Sequence, residues 1–322
     1  MVNPQLARLS DSLFWVALIV YSAAMLLFFA SLAYKSRRVG TIATVVAWGG
    51  LLTHAASIST RGLSVQRVPW GNMFEYSNML GFLMVLTYLL VIDRRLGLRQ
   101  VGGFALGGGV LALASARFLY APAGPLVPAL SSYWIKIHVI AAITGSNLFA
   151  LSFIFTVLYL VKDRSERRAA TQYAGSTVGA AYIGDTTTEE GAPRDLVAEE
   201  EKEPERQGSS TGFLSRFPSA ATFDTLAYRT IQFAFPIWTF AVIAGAIWAH
   251  EAWGRYWGWD PKETWAFITW VIYAGYLHAR ATAGWRGRRA AFVACLGFAS
   301  VMFTYYAVNL WIAGLHSYAG VK

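Results

Sequence analysis

The sequence predicts an all-α polytopic membrane protein of about eight transmembrane helices, with its N- and C-termini outside. Three observations predict it. Apolar residues make up 56% of the 322 residues and charged residues only 14%, which is not the composition of a water-soluble chain. The apolar residues come in blocks long enough to cross a hydrocarbon core, which takes about 20 residues of helix. The charges are segregated. The stretch from Lys162 to Thr225 holds 12 of the 18 acids, and the rest of the chain carries 19 bases against 6 acids. In a membrane protein such an excess sets topology, so the basic balance does not indicate nucleic acid. The same composition excludes a secreted disulfide scaffold and a disordered chain. Cys295 is the only cysteine and lies in an apolar run. Without a Cys-x-x-Cys pair the chain cannot be a thiol oxidoreductase by itself.

The spans are expected at 13–34, 39–58, 75–92, 100–116, 135–161, 228–250, 264–281 and 289–313. The first reads as a retained span and not a cleaved signal, because Lys35, Arg37 and Arg38 follow it as a stop-transfer pattern. The fourth is glycine-rich, which permits close helix packing. Pro236 inside the sixth predicts a kink. With the N-terminus outside, the inner connections hold Arg37-Arg38, Arg94-Arg95, Lys162 to Arg168 and Arg286 to Arg289, as the positive-inside rule requires. The chain then divides into three parts. Residues 1–161 form five helices. Residues 162–227 form a polar cytoplasmic loop, partly disordered, with the acidic run Glu199-Glu200-Glu201. Residues 228–322 form three helices.

The outer connections hold the chemistry. Between the sixth and seventh spans runs Trp253-Gly254-Arg255-Tyr256-Trp257-Gly258-Trp259-Asp260-Pro261-Lys262-Glu263-Thr264-Trp265. An aromatic belt at the membrane interface accounts for scattered tryptophans. It does not account for the glycines, the Asp-Pro or the Lys-Glu among them. Flat indoles beside glycine gaps suit a large, planar, apolar ligand, and Arg255 and Lys262 suit its carboxylates. Asp260 has two readings, a platform residue or the N-cap of the next helix with Pro261 at its first position. Glu75, at the start of the third span, likewise reads as a helix cap or a platform contact.

Five histidines complete the inventory. His138 near the outer end of the fifth span and His316 after the eighth fall on the same face as the tryptophans. Two imidazoles flanking an aromatic shelf are the parts of a bis-histidine haem site. His278 falls about 20 Å deeper, at 1.5 Å per helical residue. It reads as a functional intramembrane group or as a residue marking the inner interface beside Arg280. His54 lies toward the outer leaflet, too far from His278 to share an iron. His250 reads as a local hydrogen-bonding residue.

The run from Trp253 to Trp265, with Asn72-x-x-Glu75 and Gly314-Leu315-His316-Ser317-Tyr318, resembles the tryptophan-rich "WWD" motif of the CcsA (ResC) family of cytochrome c biogenesis, System II. Actinobacterial members are often called CcsB. The System I proteins CcmC and CcmF share the Trp-Asp core, but the Pro-Lys-Glu-Thr-Trp continuation fits them less well.

The resemblance implies a haem-handling subunit of a holocytochrome c synthase, or haem lyase, in the plasma membrane with its active face extracytoplasmic. It implies haem b as a transient substrate or cofactor, presented for thioether attachment to the CxxCH segment of apocytochrome c. It implies a ResB-type membrane partner, a thiol-reducing thioredoxin-like protein, and no nucleic acid. His138 and His316 would be the outer axial ligands, and Trp253, Trp257, Trp259 and Asp260 the platform, with Trp265, Arg255, Lys262 and Glu75 around it. His278 would meet an inner haem whose second ligand comes from the partner. Three other readings stay open: a haem exporter without an attachment role, a b-type membrane electron carrier, and a structural assembly factor whose aromatic loop is only a belt and binds no haem.

Overall fold

The computed structural model describes residues 2–183, 213–312, 314 and 315. They are helical throughout, with no strand among them. Helix α1 (Pro4–Tyr34) starts from Asn3, whose side chain accepts the backbone N–H groups of Gln5 and Leu6, with Pro4 in the first helical position. It ends at Lys35 in a left-handed conformation, and Ser36 at once caps α2 (Arg37–Val65). The two helices therefore fold back on each other through two residues. Small residues on α2 permit the approach: a Cβ on Gly50 would stand 2.7 Å from the Tyr21 ring. Buried Ser10 and Ser57 exchange hydroxyl-to-carbonyl hydrogen bonds of 2.9 Å.

Helix α3 (Met73–Thr87) continues into a π-helical turn at Tyr88–Asp93. A short 3₁₀ turn then leads into α4 (Gly102–Phe118). The close packing expected from the α4 glycines is present. Gly109 faces Val85, and Gly103 lies flat against the Phe29 ring. Helix α5 (Tyr133–Ile183) and helix α6 (Ala220–Trp253) form a second long antiparallel pair. Ser132 meets Glu251 at one end, and the Ala220 N–H meets Glu166 at the other. Helix α6 runs unbroken through Pro236. Helices α7 (Pro261–Ala281) and α8 (Arg288–Tyr305) follow, with the short α9 (Ala307–Leu310) last.

Among the described residues, seven helices are long and apolar enough to span a membrane. The one left out is α7, whose hydropathy is lowered by Trp265, Trp270, Tyr273, Tyr276 and His278. It nonetheless has 21 residues, about 31 Å at 1.5 Å per residue, and joins the two ends of the molecule. The protein is a polytopic membrane protein of this helical type.

Several helices outrun the expected spans. Apolar runs report the thickness of hydrocarbon, whereas a helix continues into water while its residues favour it. The largest extensions fall on the flanks of the expected polar segment. Residues 162–183 prolong α5, and residues 220–227 begin α6, so both flanks of the polar loop are helical. The rest of that segment, including Glu199–Glu201, lies outside the described residues.

Two large clusters dominate the core among the described residues. One joins α1–α4 with the C-terminal part of α5 and the start of α6, around Tyr21, Phe28, Tyr88 and Phe155. The other joins α5–α8, where Phe149 stacks flat on Tyr273 at 3.8 Å. Ion pairs fasten the end opposite the tryptophan-rich loop: Asp93 with Arg99, Asp163 with Arg288, and Asp224 with Arg280.

Candidate ligand site at the tryptophan-rich end

The loop after α6 is built by local capping. Gly254 takes a left-handed conformation (φ 74°) and returns its N–H to the His250 carbonyl, ending α6. Asp260 then caps α7, with Pro261 in the first position. Its Oδ1 accepts the Lys262 N–H at 3.1 Å, and Glu263 reaches back to the N–H groups of Asp260 and Gly258. Of the two readings of Asp260, the N-cap is present. The Arg255 guanidinium lies over Gly258, where any Cβ would collide with it.

Below this loop two adjoining cavities open between α5, α6 and α7, the larger bounded also by α3 and α8. His138, Trp238, Trp248 and Lys262 line both. The larger adds Tyr76 and Tyr305, and the smaller adds Trp257. His138 stands where they meet. Its Nδ1 lies 2.8 Å from the Ala241 carbonyl oxygen, which can only accept, so Nδ1 carries a proton, and in the neutral ring Nε2 then holds the lone pair. Gly245 makes the notch for the ring, because a Cβ there would stand 2.7 Å from Nδ1. Trp248 lies nearly parallel to the imidazole at 6.2 Å, anchored by its own N–H to the Ala129 carbonyl. A donor nitrogen fixed in one tautomer and walled by indoles is the chemistry a planar iron macrocycle requires.

The structure brings His138, Trp257 and Lys262 together and distributes the other candidates around them. The Lys262 ammonium donates to Asn309 Oδ1 at 2.8 Å. Trp253 packs behind the cavity against Trp248, at 4.8 Å. Trp259 is 68% exposed and meets Trp257 edge-on. Trp265 turns to the Phe303 ring at 3.9 Å. Asp260 is buried, and its Oδ2 accepts the Leu315 N–H at 2.7 Å. His316 lies outside the described residues.

Glu75 lies off this shelf. It is 1% exposed, and its carboxylate is taken up by Arg61, Arg67 and the Gly71 N–H, while Asn72 caps α3. It therefore holds the 66–72 loop, a role whose sequence signal was two arginines near the adjoining span end. His278 is exposed near the C-terminal end of α7 and lines neither cavity. His54 is fully buried between Asn78 (2.7 Å) and Tyr21 (3.3 Å). His250 stacks on Tyr256 at 4.2 Å. Sequence reasoning missed Trp238 and Trp248, although Ala241, Gly245 and Trp248 recur at helical spacing on one face of α6.

This geometry sits within a known sequence pattern. A sequence model described as "Cytochrome C assembly protein" matches residues 9–316. The chain belongs to the cytochrome c assembly protein family. Among curated relatives, the cytochrome c biogenesis protein CcsA of Gloeobacter violaceus is 34% identical, over 96% of this chain and 95% of its own length. CcsA of Synechococcus elongatus is 36% identical over 83% and 84%, and that of Porphyra purpurea 33% over 92% of each. The protein is thus of CcsA type, and the resemblance read from the WWD run holds. The fold also matches the solved structure of cytochrome c haem lyase CcmF, with a TM-score of 0.64 and 15% identity. That match covers 94% of this chain and 46% of that one, and at this identity it shows shared architecture alone.

Proposed function

We propose that this chain holds haem b on the extracytoplasmic face of the plasma membrane and presents it to apocytochrome c, as the haem-handling subunit of a holocytochrome c synthase. The observation that carries the reading is His138: one ring nitrogen tied to a backbone carbonyl, at the junction of two aromatic-walled cavities. His138 and His316 serve as axial ligands. Trp257, with Trp253 and Trp248 behind it, forms the apolar platform. Trp259 and Trp265 border it, and Lys262 and Arg255 face the propionates.

In attachment, each thiol of CxxCH adds across a haem vinyl group. Sulfur bonds to one vinyl carbon and the thiol hydrogen ends on the other, so no oxidant is consumed. The chain's contribution is to hold the vinyl edge in place and exclude water. The CxxCH histidine then displaces one of the two protein ligands and carries the product away. A thioredoxin-like protein keeps the thiols reduced.

The inner part of the reading rests on α7. Phe267, Val271, Gly275 and His278 form one exposed stripe along it. A ResB-type partner packing there supplies the second ligand to an inner haem held by His278. An electron carrier with paired histidines inside the bundle is disfavoured, because both nitrogens of buried His54 face Tyr21 and Asn78.

The test is the absorption spectrum of the detergent-purified chain co-expressed with its ResB-type partner. A Soret band with split visible bands is expected, weakened when His138 and His316 are both changed to Ala. Haem unchanged in that double variant would move the site to His278, and haem absent from every preparation would remove the reading.

A further inference from the structure

We infer that a slot between α1, α4 and α5 binds an anionic phospholipid, with one acyl chain in the slot and the phosphate at Arg216. The slot holds about 1380 Å³, its open mouth included, and is bounded also by α3 and α8. Its side chains are apolar apart from Ser115, Tyr305 and Tyr306. Those hydroxyls close one end, where Ser115 meets Tyr306 and Ser77 meets Tyr305. Along α4 the slot runs from Gly103 to Ser115, twelve residues or about 18 Å at 1.5 Å per residue. One leaflet is about half of a 30 Å hydrocarbon core, so a single acyl chain fills that length. Leu111 and Val157 are exposed at the mouth. Met25, Met84 and Met302, half of the chain's methionines, give the wall the adaptability that a flexible chain needs.

The other end supplies the charge. The turn Phe213–Arg216 lies against α1. Phe217, the next residue, packs at 6.0 Å on Phe104 of α4, which lines the slot. Lys162 of α5 donates to the Leu214 carbonyl at 2.8 Å. The turn is therefore held by the same three helices that bound the slot. Arg216 Nε and Nη1 are buried and have no hydrogen-bond partner among the described residues. Burying a guanidinium without an acceptor is costly. A phosphate offers its fork two oxygens at once. Lys162, 6% exposed, adds a second cation beside the turn. The nearby Glu166 is directed to Lys162 and to the Ala220 N–H. Basic pockets between spanning helices bind anionic lipid headgroups, and here an apolar slot of one leaflet's depth continues from the pocket.

The experiment is native mass spectrometry of the full chain, reconstituted with equal phosphatidylglycerol and phosphatidylcholine and released in mild detergent. One retained phospholipid is expected, with phosphatidylglycerol favoured about 10-fold, as one charge-assisted hydrogen bond supplies. Arg216→Gln keeps a lipid and loses the preference. Gly107→Leu with Gly108→Leu fills the slot and loses the retained lipid, since a Cβ at either glycine meets nothing nearer than 3.5 Å. Gly49→Leu, at an open position on α2, matches the parent. Equal retention by the parent and the slot-filled chain overturns the inference. So does a quinone or haem as the slot-dependent mass. An unchanged preference in Arg216→Gln also overturns it, and decides the matter where the slot-filled chain does not fold. Changing Glu199, Glu200 and Glu201 to Gln should leave retention as in the parent. If it raises phosphatidylglycerol retention in the parent but not in Arg216→Gln, the acidic run is what Arg216 holds and the inference is overturned.

Discussion

The two halves of the bundle each set a histidine beside aromatic rings, in opposite surroundings. In the α1–α4 half, His54 is fully enclosed, with both nitrogens facing partners and the Tyr21 and Phe82 rings edge-on around it. In the α5–α8 half, His138 is only half-buried, lies parallel to an indole, and lines open space. The first arrangement satisfies a polar group inside a core. The second fixes a tautomer and leaves room for a ligand. Residue type and depth do not separate these roles, whereas the packing around the ring does.

The comparison can be sharpened from its largest expected effect downward. Glu75→Ala leaves the buried Arg61 and the half-buried Arg67 without their carboxylate and is expected to cost about 3–5 kcal/mol. The loss should appear in detergent unfolding curves, with the haem spectrum of the folded fraction unchanged. His138→Ala should lower the yield of c-type cytochrome by about 100-fold, the upper end of losses when even an outer partner of a metal ligand is removed. Haem staining of membranes measures it.

Gly245→Val fills the notch beside Nδ1 and displaces the ring from Ala241, for an expected loss of about 10-fold in the same assay. His54→Gln should do least, about 1 kcal/mol of stability with no spectral change. A shifted Soret band in His54→Gln would break the contrast between the two halves.

Much of this was legible in the sequence because it is governed by local rules. Span positions follow from apolar blocks, and the cap at Asp260-Pro261 follows from N-terminal helix chemistry within four residues. The family follows from the exact spelling of the run from Trp253 to Trp265. The orientation of each tryptophan was not legible. Trp257 faces the cavity, Trp265 faces Phe303 and Trp259 faces outward, and these choices depend on α8 and on the helix start. Trp238 and Trp248 sit inside a span, where an indole looks like any apolar residue. Glu75 was ambiguous for another reason. Its partners Arg61 and Arg67 lie on α2 and the following loop, so only the tertiary fold shows that its charge is already matched.

The two-residue turn at Lys35–Ser36 bears on how the molecule is made. It lets α1 and α2 close on each other as soon as about 65 residues have emerged, through contacts such as Ser10–Ser57. Pairings between near neighbours form fastest, since little chain entropy is lost in closing them. The contact between Asp260 and Leu315 joins residues 55 apart and forms only after both α7 and α8 are made. The α1–α2 hairpin therefore settles early, and the tryptophan-rich end closes only after α7 and α8 have been made.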